Sequence, residues 1–165
     1  MTTLASPLDC DALRLSALEA HQAVRQVAHE YMACCDVPSP DDFPTRLREL
    51  FTEDAVWEGV GERYGRTFGR LEGREQVLAM LQGYLPPNPH FHTNGHFLAG
   101  ERILVEGEQA TGEWLMQQIS RYDTGRSELI MARIRIAFLR SAERWRIARF
   151  STERLGAWAL AEVQS

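Results

Sequence analysis

The chain has 165 residues, of which 44% are hydrophobic, and its 18 basic residues, all arginine, stand against 23 acidic ones for a net charge of −5. This length suits one domain with its own core and excludes a mainly disordered chain, while the lack of lysine excludes Schiff-base chemistry on a lysine. The acidic balance argues against a nucleic-acid partner, and the absence of a long apolar run argues against a membrane or a secretory leader, so a cytoplasmic protein is expected.

The first predicted element is an amphipathic helix over residues 17–35, in which apolar residues recur every three to four positions. It should end at Asp36, because Val37 precedes Pro38 and is therefore pushed towards extended geometry. A carboxylate at the end of this helix is thus expected to lie beside the first loop of the domain.

Shorter elements follow the first helix. A second helix is predicted over residues 44–51 and a strand over residues 55–60. The three glycines within residues 65–73 indicate a loop or a short strand, and residues 74–84 have the pattern of a third short helix.

From residue 91 onward the apolar period changes to two, which predicts four long strands, at residues 92–105, 110–122, 128–139 and 144–152. Helices followed by consecutive antiparallel strands indicate an α+β fold, whose sheet must curve over the helices to bury one face. We expect a single domain over residues 15–155 with a pocket inside the curved sheet. A flexible segment, residues 1–14, should precede it, and a tail, residues 156–165, should follow.

Two polar residues of the first helix are candidates for function. Asp36 lies at the helix C-terminus, where the helix dipole disfavours an anion. An aspartate in the turn before Pro38 is also common for structural reasons, so this pattern leaves both interpretations open. Tyr31 lies on the apolar stripe of the helix and is either a core tyrosine or a hydrogen-bonding group of a site.

Three histidines, His90, His92 and His96, lie within seven residues at the start of the first long strand. A His-x-His pair can chelate a metal, but no carboxylate follows at the expected position, so solvated turn histidines are the preferred interpretation. His96 differs because apolar Phe97 and Leu98 follow it. It therefore enters the sheet, either as a satisfied core group or as a base.

Arg149 departs from the pattern of the last strand. Alternation places it with Trp145 and Ile147, on the face that we expect to be covered. A covered arginine needs an anion, which could be Glu58, Glu113 or a bound substrate. A single bulge in the strand would instead turn it outward.

Four segments of the chain resemble the SnoaL-like branch of the NTF2-like superfamily, which includes scytalone dehydratase, bile-acid 7α-dehydratase and a hexachlorocyclohexane dehydrochlorinase. The segments are LFTEDAVWE at residues 50–58, LEGRE at 71–75, HFLAG at 96–100 and RWRI at 144–147. The resemblance spans about residues 17–154. It implies an NTF2-like cone, with N-terminal helices packed in the concave face of a curved, mostly antiparallel mixed sheet.

The resemblance also implies roles for individual residues. Enzymes of this branch pair an aspartate at the end of the first helix with a histidine at the start of a long strand, and these roles fall on Asp36 and His96. The bile-acid enzyme adds a tyrosine and an arginine, which Tyr31 and Arg149 match. Scytalone dehydratase has a tyrosine where this chain has Cys35, which argues against a scytalone-like substrate. The residues expected to contact the substrate are Trp57, Trp114, Met116, Gln118 and Phe138.

Together these roles imply a lyase of the dehydratase type that needs no cofactor and no metal. His96, oriented by Asp36, would remove an acidic C–H proton from an apolar small molecule of polyketide, steroid or aromatic type, and a β-leaving group would depart. Tyr31 and Arg149 would stabilise the oxygen that gains charge. The same base would serve an isomerase or a cyclase, and a non-catalytic ligand-binding or assembly module is the alternative outside enzymology. The resemblance further implies a homodimer or homotrimer.

Overall fold

The computed structural model describes residues 7–161 and places N-terminal helices against one six-stranded sheet. In chain order the elements are α1 (Pro7–Cys35), α2 (Phe43–Leu50), β1 (Phe51–Val60), α3 (Gly61–Thr67), β2 (Arg70–Glu72), α4 (Arg74–Gln82), β3 (Phe91–Glu106), β4 (Gln109–Tyr122), β5 (Ser127–Ser141) and β6 (Arg144–Ala159).

The strands are ordered β2-β1-β6-β5-β4-β3 across the sheet. β1 runs parallel to β6, and every other neighbouring pair is antiparallel. The sheet is therefore mixed and unclosed, with β2 and β3 at its edges. This arrangement confirms the α+β fold that the order of helices and strands predicted.

The core lies between the helices and the concave face of the sheet. In β5 the alternate residues Ile130, Ala132, Ile134, Ile136 and Phe138 are all at most 5% exposed. Full burial of one such large aliphatic or aromatic side chain contributes about 1.5–3 kcal/mol. The alternation therefore determines which face of the strand meets the helices.

Residues 61–67 form a helix, α3, which extends into the segment 65–73 where the glycines predicted a loop or a short strand. The same segment contains the short strand β2. A helix of seven residues that buries one side chain, Tyr64, has no apolar periodicity, so the sequence pattern did not reveal it. α3 approaches β1 closely at Gly59. A Cβ atom there would lie 2.3 Å from the carbonyl oxygen of Tyr64.

Helix α1 begins at Pro7, well before the predicted start. Residues 7–14, which were expected to be flexible, therefore belong to this helix. The extension is favoured by residues 11–20, which are rich in the helix formers Ala, Leu and Glu and contain no Gly or Pro. Residues 1–6 lie outside the described part of the chain. Among residues 7–161 no helix combines the length and the apolar character that crossing a bilayer requires.

Strand β6 also continues beyond its predicted end. Ala159 pairs with Glu128 of β5, so residues 156–159 of the expected tail belong to the sheet. The described tail is accordingly reduced to residues 160–161, and residues 162–165 are not described.

The convex face of the sheet exposes large apolar side chains. Phe97 on β3, Ile119 on β4 and Trp158 on β6 are 56%, 46% and 52% exposed. Phe97 follows His96 and Ile119 follows Gln118, and both preceding residues face inward, so alternation turns Phe97 and Ile119 outward. Trp158 pairs with Leu129, which precedes the buried Ile130 and therefore also faces outward. Self-association as a dimer or trimer through this face stays a prediction.

We predict that Gly59→Ala lowers the free energy of unfolding by about 1–3 kcal/mol, because the new Cβ displaces the backbone of α3. Gly65→Ala is the matched control. Its Cβ would lie 3.8 Å from the nearest atom, the carbonyl oxygen of Gly59, and alanine favours a helix over glycine by up to about 1 kcal/mol. Urea unfolding monitored by tryptophan fluorescence measures both changes. Equal stability of the two variants would contradict the close approach of α3 to β1.

Candidate active site

The end of α1 and the start of β3 meet through an antiparallel bridge. Val37 and Asn94 exchange both backbone hydrogen bonds, at N···O distances of 2.9 and 3.0 Å. Asp36 directly precedes this bridge on one side, and His96 lies two residues beyond it on the other. The bridge therefore places these two side chains next to each other.

His96 and Asp36 are in hydrogen-bond contact. The backbone N–H of His96 donates to Asp36 Oδ1 at 2.9 Å, and His96 Nδ1 lies 2.8 Å from the same oxygen. An ionised carboxylate only accepts hydrogen bonds, so in the neutral imidazole Nδ1 carries the hydrogen and Nε2 has the free lone pair. The His96 side chain is 10% exposed and that of Asp36 is 32% exposed. The imidazole is thus oriented, and its second nitrogen is able to accept a proton.

The Asn94 side chain, 3% exposed, reinforces the bridge. Its Nδ2 donates to the backbone carbonyl of Cys35 at 3.1 Å, at the end of α1. Its Oδ1 accepts hydrogen bonds from Gln118 Nε2 at 3.0 Å and from Ser120 Oγ at 2.8 Å, both on β4. One buried amide therefore ties the end of α1 to two strands.

A cavity of about 480 Å³ lies between the helices and the concave face of the sheet, and His96 lines it. This volume is typical of small-molecule sites. Trp57, Met116 and Gln118, expected to contact the substrate, also line the cavity, as does Tyr31. Asp36 does not line the cavity itself. It contacts Nδ1 of the imidazole and so fixes the orientation of the ring.

Aromatic rings form an apolar wall of this cavity. Trp57 and Phe150 stack with centroids 5.5 Å apart, and Tyr31 meets Phe150 edge-on at 4.9 Å. Trp57 Nε1 donates a hydrogen bond to the Tyr31 hydroxyl at 2.9 Å. Burial raises the pKa of Tyr31 well above its ordinary value. The hydroxyl therefore remains protonated at neutral pH and is a hydrogen-bond donor.

A polar cluster lines another part of the cavity. Glu128 is 8% exposed and accepts hydrogen bonds from the Tyr122 hydroxyl at 2.5 Å and from Arg126 at 3.0 Å. Burial, reinforced by the bond to Glu128, raises the pKa of Tyr122 to about 12. Arg154 on β6 lines the cavity as well.

Two residues expected to contact the substrate, Trp114 and Phe138, do not line the cavity. Each is 1% exposed, and their rings pack edge-to-face at 6.5 Å. Both face the concave side, but Trp114 lies two positions before Met116 on β4, where core side chains fill the space. Period-two alternation identifies the face of a strand and not the position of the cavity along it.

Arg149 faces outward instead of towards the cavity, so its predicted inward position is wrong. β6 has a bulge at Ala148, since Arg149 pairs with Ala137 while Ile147 pairs with Phe138. The extra residue reverses the alternation beyond it. The guanidinium of Arg149 pairs with Glu58 Oε1 at 2.7 Å, and its side chain is 53% exposed.

Several polar residues of the cavity region, Asn94, Glu128 and Arg154 among them, were not identified from the sequence. The bulge gives the inward positions beyond it to Phe150, Thr152 and Arg154, so Arg154 could be found only once the bulge was known. Glu128 begins the inward alternation of β5, and this signal could have revealed it. Asn94 lies two positions before the predicted base, on the same face of β3.

The three histidines of the sequence motif do not converge. His92 is exposed, and its Nδ1 contacts Thr93 at 3.1 Å. His90 packs edge-on against Tyr84 at 4.9 Å, and partial burial lowers its pKa. Within residues 7–161 no group of three or more His, Cys, Asp or Glu side chains is arranged to hold a metal ion.

Comparison with known proteins agrees with this architecture. The sequence matches the SnoaL-like domain family over residues 16–151. Hexachlorocyclohexane dehydrochlorinase LinA-type3 from Novosphingobium barchaimii LL02 has a similar structure, with 18% identity, 92% of this chain and 97% of that chain covered, and a TM-score of 0.75. A candidate scytalone dehydratase from Novosphingobium aromaticivorans DSM 12444 has 17% identity, coverage of 89% and 91%, and a TM-score of 0.72.

An NTF2-like protein with a cystatin-like fold from Novosphingobium aromaticivorans is also similar, with 22% identity, coverage of 93% and 92%, and a TM-score of 0.68. Likeness at these identities shows the fold, and it confirms the NTF2-like cone. No curated protein gives a significant match to the sequence.

We predict that Asn94→Ala lowers the free energy of unfolding by about 2–3 kcal/mol, because it removes three side-chain hydrogen bonds and leaves buried partners unpaired. Ser120→Ala is the graded control, since it removes one of these bonds together with the longer one that Ser120 Oγ accepts from Gln118 Nε2 at 3.2 Å, and it should cost about 1 kcal/mol. Urea unfolding curves of both variants check the difference. If Asn94→Ala costs no more than Ser120→Ala, the amide does not anchor the end of α1.

Proposed function

The chain belongs to the SnoaL-like domain family, and we propose that it is a lyase of the dehydratase type that abstracts a C–H proton with His96 and Asp36. The observation that carries the proposal is the 2.8 Å contact between His96 Nδ1 and Asp36 Oδ1 beside a cavity of about 480 Å³. This contact leaves Nε2 as the basic nitrogen of a histidine that lines the cavity.

In the first step His96 Nε2 takes a proton from a carbon next to a carbonyl or thioester group. The electron pair of the broken C–H bond moves onto the carbonyl oxygen and forms an enolate. The protonated imidazole is stabilised by the Asp36 carboxylate. Tyr31, whose oxygen already accepts a hydrogen bond from Trp57, stabilises the enolate oxygen by donating a hydrogen bond to it and keeps its proton throughout.

In the second step the enolate electrons form a carbon–carbon double bond while the bond to the β-hydroxyl group breaks. The imidazolium of His96 gives its proton to the departing oxygen, so the products are an alkene and water. His96 returns to its neutral form. Each step uses only side chains of this chain, and Arg149 has no part in it because it faces the opposite side of the sheet.

The contact between His96 and Asp36 also favours an enzyme over a non-catalytic module of the same fold. A module that only binds a ligand or assembles with another chain does not need an imidazole oriented by a carboxylate. Fixed positioning of a base next to a mostly apolar cavity is, however, what general-base catalysis requires.

The test measures proton abstraction directly. A panel of β-hydroxy ketones and β-hydroxy thioesters with aromatic or fused-ring bodies is incubated with the protein in D₂O, and loss of the C–H signal and appearance of the alkene are monitored by NMR. We predict that His96→Ala and Asp36→Asn each slow both processes by at least about 100-fold. Their free energies of unfolding should stay within about 1 kcal/mol of the starting protein.

His92→Ala is the matched control, because His92 lies on the same strand but is exposed and does not line the cavity. It should keep the original rate, and added EDTA should not change the rate either. Normal rates in both His96→Ala and Asp36→Asn would contradict the proposal. Migration of a double bond without loss of water would assign isomerisation by the same base instead.

A further inference from the structure

The lining of the cavity is positively charged, although the whole chain has a net charge of −5. Arg63, Arg126 and Arg154 line the cavity, and among the described lining residues Glu128 is the single carboxylate. With neutral histidines the arginines outnumber the acidic groups. The interior of the site therefore favours a negatively charged ligand over a neutral one of the same shape.

Of these arginines, Arg154 is the one that is both half-buried and without an ion pair or hydrogen bond among residues 7–161. Arg126 donates to Glu128 at 3.0 Å, and the second oxygen of Glu128 accepts from Tyr122. Arg63 is exposed on α3. Arg154 is half-buried on β6, and within residues 7–161 its guanidinium makes neither an ion pair nor a hydrogen bond.

Arg154 and His96 face the same cavity from different strands. Arg154 pairs with Ala132 on β5, and Ala132 pairs with Met116 on β4. His96 lies on β3 and pairs with Gln118, the next inward residue of β4. Three strand spacings, about 14 Å, thus separate the two backbones, and the long arginine side chain reaches into the space between them. One molecule can contact both groups at opposite ends.

We infer that the substrate carries a carboxylate or a similar oxyanion and that Arg154 binds it. The inference rests on the proposed function for the reaction, and it adds the class of substrate. A guanidinium in a mostly apolar cavity costs free energy unless an anion pairs with it, and its planar fork matches a carboxylate with two hydrogen bonds. Trp57 and Phe150 supply the surface for an apolar ring body. The substrate is therefore an apolar body with an anionic end.

The test is a comparison of 2-naphthoate with neutral 2-naphthamide, which share the two-ring body and differ in charge. Isothermal titration calorimetry should give a dissociation constant for 2-naphthoate at least about tenfold below that for 2-naphthamide, as expected for a charged hydrogen-bonded pair. Arg154→Gln and Arg154→Met should abolish this preference, and Arg154→Lys should restore part of it. High salt should reduce it.

Arg146→Gln is the matched control, because Arg146 lies on the same strand but on the convex side, next to the buried Trp145 and Ile147. It should keep the preference for 2-naphthoate. The inference is overturned if the starting protein binds both probes equally, if it fails to bind 2-naphthoate at millimolar concentration, or if Arg146→Gln loses the preference as well.

Retention of the preference for 2-naphthoate in Arg154→Met also overturns the inference. If Arg154→Gln does not fold, Arg154→Met serves as the test, because methionine keeps an unbranched side chain of similar length. The proposed function fails separately. Full activity of the His96→Ala variant would disprove proton abstraction by His96 and leave the charge preference intact. Equal binding of the two probes, in turn, would leave the deuterium exchange result unchanged.

Discussion

The backbone bridge between Val37 and Asn94 is the contact on which the site depends. It joins the end of a helix to the start of a strand with hydrogen bonds of 2.9 and 3.0 Å, so that Asp36 and His96 come together from distant parts of the chain. A slip of one residue along β3 would turn the imidazole to the other face of the sheet. The Asn94 side chain opposes such a slip, because it donates a hydrogen bond to the carbonyl of Cys35 and accepts one from Gln118 on β4.

The curved sheet places different chemistry on separate parts of one cavity wall. The oriented base lies on the edge strand β3, the aromatic surface of Trp57 and Phe150 lies towards β1 and β6, and the unpaired cation of Arg154 lies on β6. In a site from which water is partly excluded, each charge acts over a longer range than it would in solvent. The apolar wall therefore strengthens the polar groups as well as receiving the body of a ligand.

The order of helices and strands was predictable because long strands with one buried face show a strict alternation. The pairing of Asp36 with His96 came from resemblance to a known family, since no local pattern relates residues so far apart in the chain. Two predictions failed where local geometry overrides periodicity: the bulge that turns Arg149 outward, and the position of Trp114 along its strand. The short helix at residues 61–67 was not predicted, because it buries one side chain and therefore shows no apolar periodicity.

The bulge at Ala148 makes β6 unequally tolerant of changes in length. Deleting Ala148 would straighten the strand, and Ile147 and Phe150 would still point inward because the remaining spacing between them is even. Deleting one residue between Phe150 and Arg154 would instead reverse the face on which the guanidinium emerges. Deletions at this bulge should therefore be tolerated better than deletions on its C-terminal side, where a shift of one residue would remove one of the three arginines that line the cavity.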